Sequence, residues 1–107
     1  MISCDELRTR FKRDPLPIRW GGIASDLARL SSLAHTGQRQ SQAYQDVLTE
    51  IKLFSEWMAP EVKLDSQEKI LSLQRALSSW LDSPVVSRIE KEASEWSEQI
   101  LKISGLI

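Results

Sequence analysis

Tyr44-Gln45-Asp46-Val47-Leu48-Thr49-Glu50-Ile51-Lys52-Leu53-Phe54-Ser55-Glu56-Trp57-Met58 decides the fold, because Tyr44, Val47, Ile51, Phe54 and Met58 step by 3, 4, 3 and 4 residues. That spacing gathers the five side chains on one stripe of an α-helix, and a stripe of this width needs another helix to cover it. The same step recurs on both sides. Trp20, Ile23, Leu27, Leu30 and Ala34 show it before the quoted stretch; Ile70, Leu73, Leu77 and Trp80, then Val86, Ile89, Ala93, Trp96, Ile100 and Ile103, show it after. The four tryptophans fall one to each stretch, at the stripe or beside it. Four such stretches joined by short connections predict an all-α protein, an up-down four-helix bundle with antiparallel neighbours.

The ends of the elements carry their own signals. Ser3 with Glu6 three residues on has capping-box spacing, and Cys4, Leu7 and Phe11 then step by 3 and 4, which predicts a short helix over residues 4–13. Cys4 reads as a buried small hydrophobe on that helix. Asp14-Pro15-Leu16-Pro17 ends it, so residues 14–19 read as extended. The chain therefore divides into residues 1–19, an accessory helix and extended arm, and residues 20–105, the bundle, all within a single domain. The first long helix should stop before Gly37, the second run from about Gln38 to Met58, and the third begin near Asp65. Ser83 and Pro84 suit the N-cap and first residue of the fourth, which should end at Gly105.

At 107 residues the chain supports one core, and 41% apolar with 27% charged residues is an ordinary globular composition. A net charge of −1 draws it to neither nucleic acid nor anionic lipid as a whole. No run approaches the roughly 18 apolar residues of a membrane span, and acidic Asp5 and Glu6 stand where a secretory signal would be basic and then apolar. The reading is a cytoplasmic protein without a membrane partner. Charge is mildly uneven: residues 1–20 hold five basic and three acidic groups, residues 59–107 six basic and eight acidic.

Apolar residues off the stripe are the candidates for function. At about 100° per residue, Leu53 lies roughly 200° and Trp57 roughly 240° from Ile51, and the two form a ridge four residues apart. Leu71 lies roughly 100° from Ile70, on the far side from Leu73 and Trp80. Leu53, Trp57 and Leu71 are the expected partner-binding residues of a protein–protein interaction module, the partner being another protein or a second copy of the chain. The alternative occupant of the ridge is the head itself, through Leu7, Phe11, Leu16 and Ile18, within the molecule or swapped into a dimer.

Chemistry finds less support. The stripes hold no Asp, Glu or His, so a di-metal site of the bundle type is excluded, and Gly21-Gly22 lacks the Lys and the preceding strand of a phosphate loop. No cofactor, catalytic residue or small-molecule substrate is expected, and the chain does not read as an enzyme. Arg8, Arg10, Lys12 and Arg13 around Phe11, with Arg19, form the alternative reading, a weak nucleic-acid contact through phosphates and base stacking. Asp5, Glu6 and Asp14 dilute it. Arg29-Leu30-Ser31-Ser32-Leu33-Ala34-His35 resembles the Arg-x4-6-His element of HEPN ribonucleases, although Leu30 stands where that family usually has a polar residue. The resemblance implies a third reading, RNA cleavage by Arg29 and His35.

Ala28-Arg29-Leu30-Ser31-Ser32-Leu33, Lys52-Leu53-Phe54-Ser55-Glu56-Trp57-Met58-Ala59-Pro60-Glu61 and Leu73-Gln74-Arg75 resemble a group of small uncharacterised cyanobacterial proteins over residues 20–82. The resemblance implies no activity; it points again to Leu53-Phe54-Ser55-Glu56-Trp57.

Overall fold

The computed structural model describes residues 3–81 and 86–105, and among these every regular element is helical. Helix α1 spans Cys4–Arg13. Ser3 caps it by accepting the Glu6 N–H at 3.1 Å, and acidic Asp5 and Glu6 in the first turn with basic Arg10, Lys12 and Arg13 in the last suit the helix dipole. Cys4 is exposed rather than buried, being the first residue of the helix.

Helix α2 spans Leu16–His35, which corrects the expected extended arm over residues 14–19. Pro15 is its N-cap and Pro17 lies in its first turn, where a missing N–H removes no intrahelical bond and a fixed φ is already helical. Only Asp14 and Pro15 separate α1 from α2, so the head is a helical corner. At the other end Gly37, with φ +76°, carries the left-handed turn; Gln38 N–H donates to Leu33 O at 2.8 Å and Gly37 N–H to Ala34 O at 3.2 Å, the paired bonds of a Schellman cap.

Helix α3 spans Gln42–Met58 and begins four residues later than the sequence suggested. Ser41 Oγ accepts the Tyr44 N–H at 3.1 Å and so fixes the start, leaving 36–41 as turn. A 3₁₀ turn over Ala59–Glu61 leads to α4, Leu64–Leu81, and α5 spans Val86–Ser104. The expected cap at Ser83 and Pro84 lies outside the described residues.

The stripes of α2, α3 and α4 are buried at every position named above. On α5 the buried face is Ile89, Ala93, Ser97, Ile100 and Ser104, while Val86 and Trp96 are half-buried and Ile103 is exposed. The stripe has rotated away from Trp96 toward serine. Its cause is the seam with α2, the most extensive interhelix contact in the molecule. Ser97 Oγ donates to Ala24 O and Ser31 Oγ to Glu90 O, each at 2.8 Å; the residue numbers of both pairs add to 121, so the helices are antiparallel. A side chain reaching a backbone carbonyl of the opposite helix needs close approach, which Ala24, Ala93 and Ser97 permit and an indole would prevent. Trp96 turns toward α4, with the Lys69 ammonium 5.7 Å above its ring.

Candidate interaction surface

The head seats on α3 with the ring of Phe11 at the centre of the contact. Phe11 is buried, stacked on Phe54 with ring centroids 4.1 Å apart and planes within 9°. Trp57 tilts against both rings at 6.0 and 5.9 Å. Such aromatic pairs add about 0.5–1.5 kcal/mol each beyond area burial. Leu7 and Leu16 pack beside this cluster half-buried, whereas Ile18 stays exposed. The Trp57 end of the off-stripe ridge is therefore covered by the chain's own α1. Leu53 is half-buried and lies outside this cluster.

Arg19 holds the corner shut. Only 8% exposed, it donates from Nε to Asp14 O at 2.6 Å and from Nη2 to Lys12 O at 2.7 Å, and pairs through Nη1 with Glu61 Oε2 at 2.9 Å. Its guanidinium lies 5.9 Å from the Phe11 ring centroid. One charged group thus caps the end of α1, joins it to the α3–α4 connection and covers the aromatic stack. Arg19 is not available to a phosphate, and Phe11 is not available to a base, which removes the aromatic from the proposed nucleic-acid contact. Arg8, Arg10 and Arg13 are exposed and Lys12 half-buried. At about 100° per residue they point to several sides of α1.

Arg29 and His35 do not converge. They stand six residues apart on one continuous helix, about 9 Å along its axis and 120° around it. His35 Nδ1 lies 2.9 Å from Glu90 Oε1, and Arg29 acts electrostatically on Asp26. Asp26 itself escaped the sequence reading. Burial first, then the charge and hydrogen bonding of Glu50, push its pKa from 3.8 up to about 8, with Arg29 opposing. Its Oδ2 is buried without a hydrogen-bond partner. A carboxyl of raised pKa is a candidate acid when it stands in a cleft. Asp26 on α2 and Glu50 on α3 interact across the seam between those helices, outside two grooves lined in part by apolar residues. No signal in one sequence pairs two carboxylates 24 positions apart on different helices.

Those two grooves differ in kind. One, of about 470 Å³, lies in the helical corner among Leu7, Phe11, Ile18, Gly21, Phe54 and Leu101. The other, of about 490 Å³, runs between α3 and α4: Leu48 and Leu77 form its floor, Leu81 its mouth, and Gln45, Lys52, Glu56 and Gln74 its walls. On the outer side of α4 stand Leu64 and Leu71, 72% and 48% exposed, while Leu81 at the groove mouth is 60% exposed. Leu71 thus sits where the sequence placed it, off the core. It is not on the same patch as Trp57, which faces α1. Leu64 and Leu81 are not among the candidates read from the sequence; the seven-residue step from Leu64 to Leu71 is the available signal.

No family model, curated protein or solved structure matches the chain. Among the described residues no three His, Cys, Asp or Glu side chains gather as a metal site, and no helix is long and apolar enough to cross a membrane.

Proposed function

We propose that this protein is a non-catalytic protein–protein interaction module, an adaptor or small subunit. Its α2–α5 would form an up-down four-helix bundle, with α1 as an accessory helix. The antiparallel α2–α5 register supports that arrangement, as do the contacts of Lys69 with Gln99 and Trp80 with Glu92 between α4 and α5. The observation that carries the function is the exposure of three leucines on one helix, Leu64, Leu71 and Leu81, beside an apolar-floored groove. Apolar surface of this kind marks contact sites on folded proteins. The partner-binding set accordingly centres on Leu71 and the α3–α4 groove, with the half-buried Leu53 as a further member; Trp57 contributes by seating α1. Arg8, Arg10 and Arg13 keep the nucleic-acid alternative formally available, but with Phe11 and Arg19 engaged internally it has lost its stacking and its most ordered cation. The likeness to small cyanobacterial proteins adds no activity.

Affinity capture from a cell lysate tests the proposal with immobilised wild type, Leu71→Asp and the control Lys91→Asp. A protein held by wild type and the control and lost from Leu71→Asp, with helicity unchanged, supports it. Identical capture by all three overturns it.

A further inference from the structure

Leu64, Glu68, Leu71 and Arg75 step by 4, 3 and 4 along α4, forming one stripe opposite the buried Ile70, Leu73, Leu77 and Trp80. All four are exposed. Glu68 and Arg75 straddle Leu71, three residues before it and four after, and neither forms an ion pair or hydrogen bond with any described residue. An acid and a base spaced about one leucine, both unpaired, make a face complementary to its own reverse.

We infer that this face docks a second copy of the chain, α4 against α4, antiparallel about a two-fold axis beside Leu71. The inference rests on the interaction role proposed above and names its partner. A two-fold there brings together residues whose numbers add to about 142 or 143. Leu71 meets Leu71, Glu68 of each copy meets Arg75 of the other, and Leu64 meets Ser78. An isologous contact forms every pair twice, so a single match supplies two ion pairs. A parallel, in-register pairing would instead set Glu68 against Glu68 and Arg75 against Arg75, and like charges oppose it. The charges therefore choose the direction and the leucines supply the apolar area.

The 18 residues of α4 are about 27 Å long. A contact confined to one such helix per copy falls below the roughly 1,200 Å² of stable interfaces. The dimer is accordingly weak, and weakens further as salt screens the pairs.

Sedimentation of the full chain from about 10 to 500 µM at low salt reads this directly. Wild type is expected to self-associate. Glu68→Arg and Arg75→Glu, both at exposed positions and each monitored for unchanged helicity, should each weaken association about tenfold or more. An equimolar mixture of the two variants should associate more tightly than either alone, because one face is then wholly positive and the other wholly negative. A wild type monomeric at 500 µM overturns the inference, and so do single variants that associate like wild type or a mixture that does not associate. If it is overturned while Leu71→Asp still abolishes capture, the interaction role stands with a different occupant; if capture is also indifferent to Leu71, both fall.

Discussion

Asp26→Asn removes a titrating carboxyl from the α2–α3 seam and leaves an amide of the same size. In the unfolded chain this carboxyl gives up its proton near 3.8; in the folded protein it holds the proton to about 8. Between those values the native state binds more protons than the unfolded state, so this group's contribution to stability falls as pH rises. It is fully present below 3.8 and lost as pH passes 8. Four units at 1.36 kcal/mol each set a ceiling of about 5–6 kcal/mol. Asp26 is partly open to solvent, and screening reduces the effect to about 1–3 kcal/mol. Asparagine does not titrate. Urea unfolding at pH 5, 7 and 9, followed by helical circular dichroism, should show Asp26→Asn gaining on wild type as pH rises, by about 1–3 kcal/mol at pH 9. Because the quantity read is a difference between two proteins, contributions from groups remote from the seam cancel. Parallel pH profiles for the two proteins, or an Asp26→Asn that loses stability relative to wild type at pH 9, would refute the reasoning. Glu50→Gln should act in the same direction on Asp26, since it removes the second cause of the shift.

Phe11→Ala removes the ring stacked on Phe54 and should cost about 3 kcal/mol, with Trp57 emission shifting to the red as its cover leaves. Arg19→Met frees the carbonyls of Lys12 and Asp14 and the Glu61 carboxylate; trypsin should then cut within residues 8–13 at least tenfold faster, while the core, read by amide exchange in α2, holds. Ser97→Leu overfills the α2–α5 seam and removes the hydroxyl that donates to Ala24 O across it, a loss of about 2–3 kcal/mol in urea unfolding.

Periodicity carried most of the fold, because burial in a helical protein follows the angle of a residue around its own axis. All the stripe positions of α2, α3 and α4 obeyed it. It failed in part on α5, where the indole of Trp96 offers far more apolar area than Ser97 and yet Ser97 takes the seam. What decides there is the separation of two helix axes and the offer of the Ala24 carbonyl, a property of the pair that neither sequence segment contains. The start of α2 failed for a related reason. Pro15 and Pro17 break a helix that has already begun but suit one about to begin, and the choice between these depends on which chain direction closes the corner onto Phe54.

The same distinction explains what became of the candidate site. Helical angles correctly removed Leu53, Trp57 and Leu71 from the core stripe, but an angle cannot tell which neighbour occupies the space it points into. Trp57 points toward α1 and is half-covered; Leu71 points away from every described element and is open. Arg19 makes the difference durable, since its three backbone and side-chain partners bind the end of α1 to the α3–α4 connection. An arginine among five basic residues reads as part of a basic segment until the carbonyls it faces are known. Once it is spent internally, the head loses both its stacking ring and its anchored cation, whereas Glu68 and Arg75 on α4 stay exposed and unpaired. An exposed leucine flanked by unpaired charges of opposite sign is better matched by its own reverse than by a uniformly charged partner, which favours the self-association proposed for α4 over a contact through the basic head.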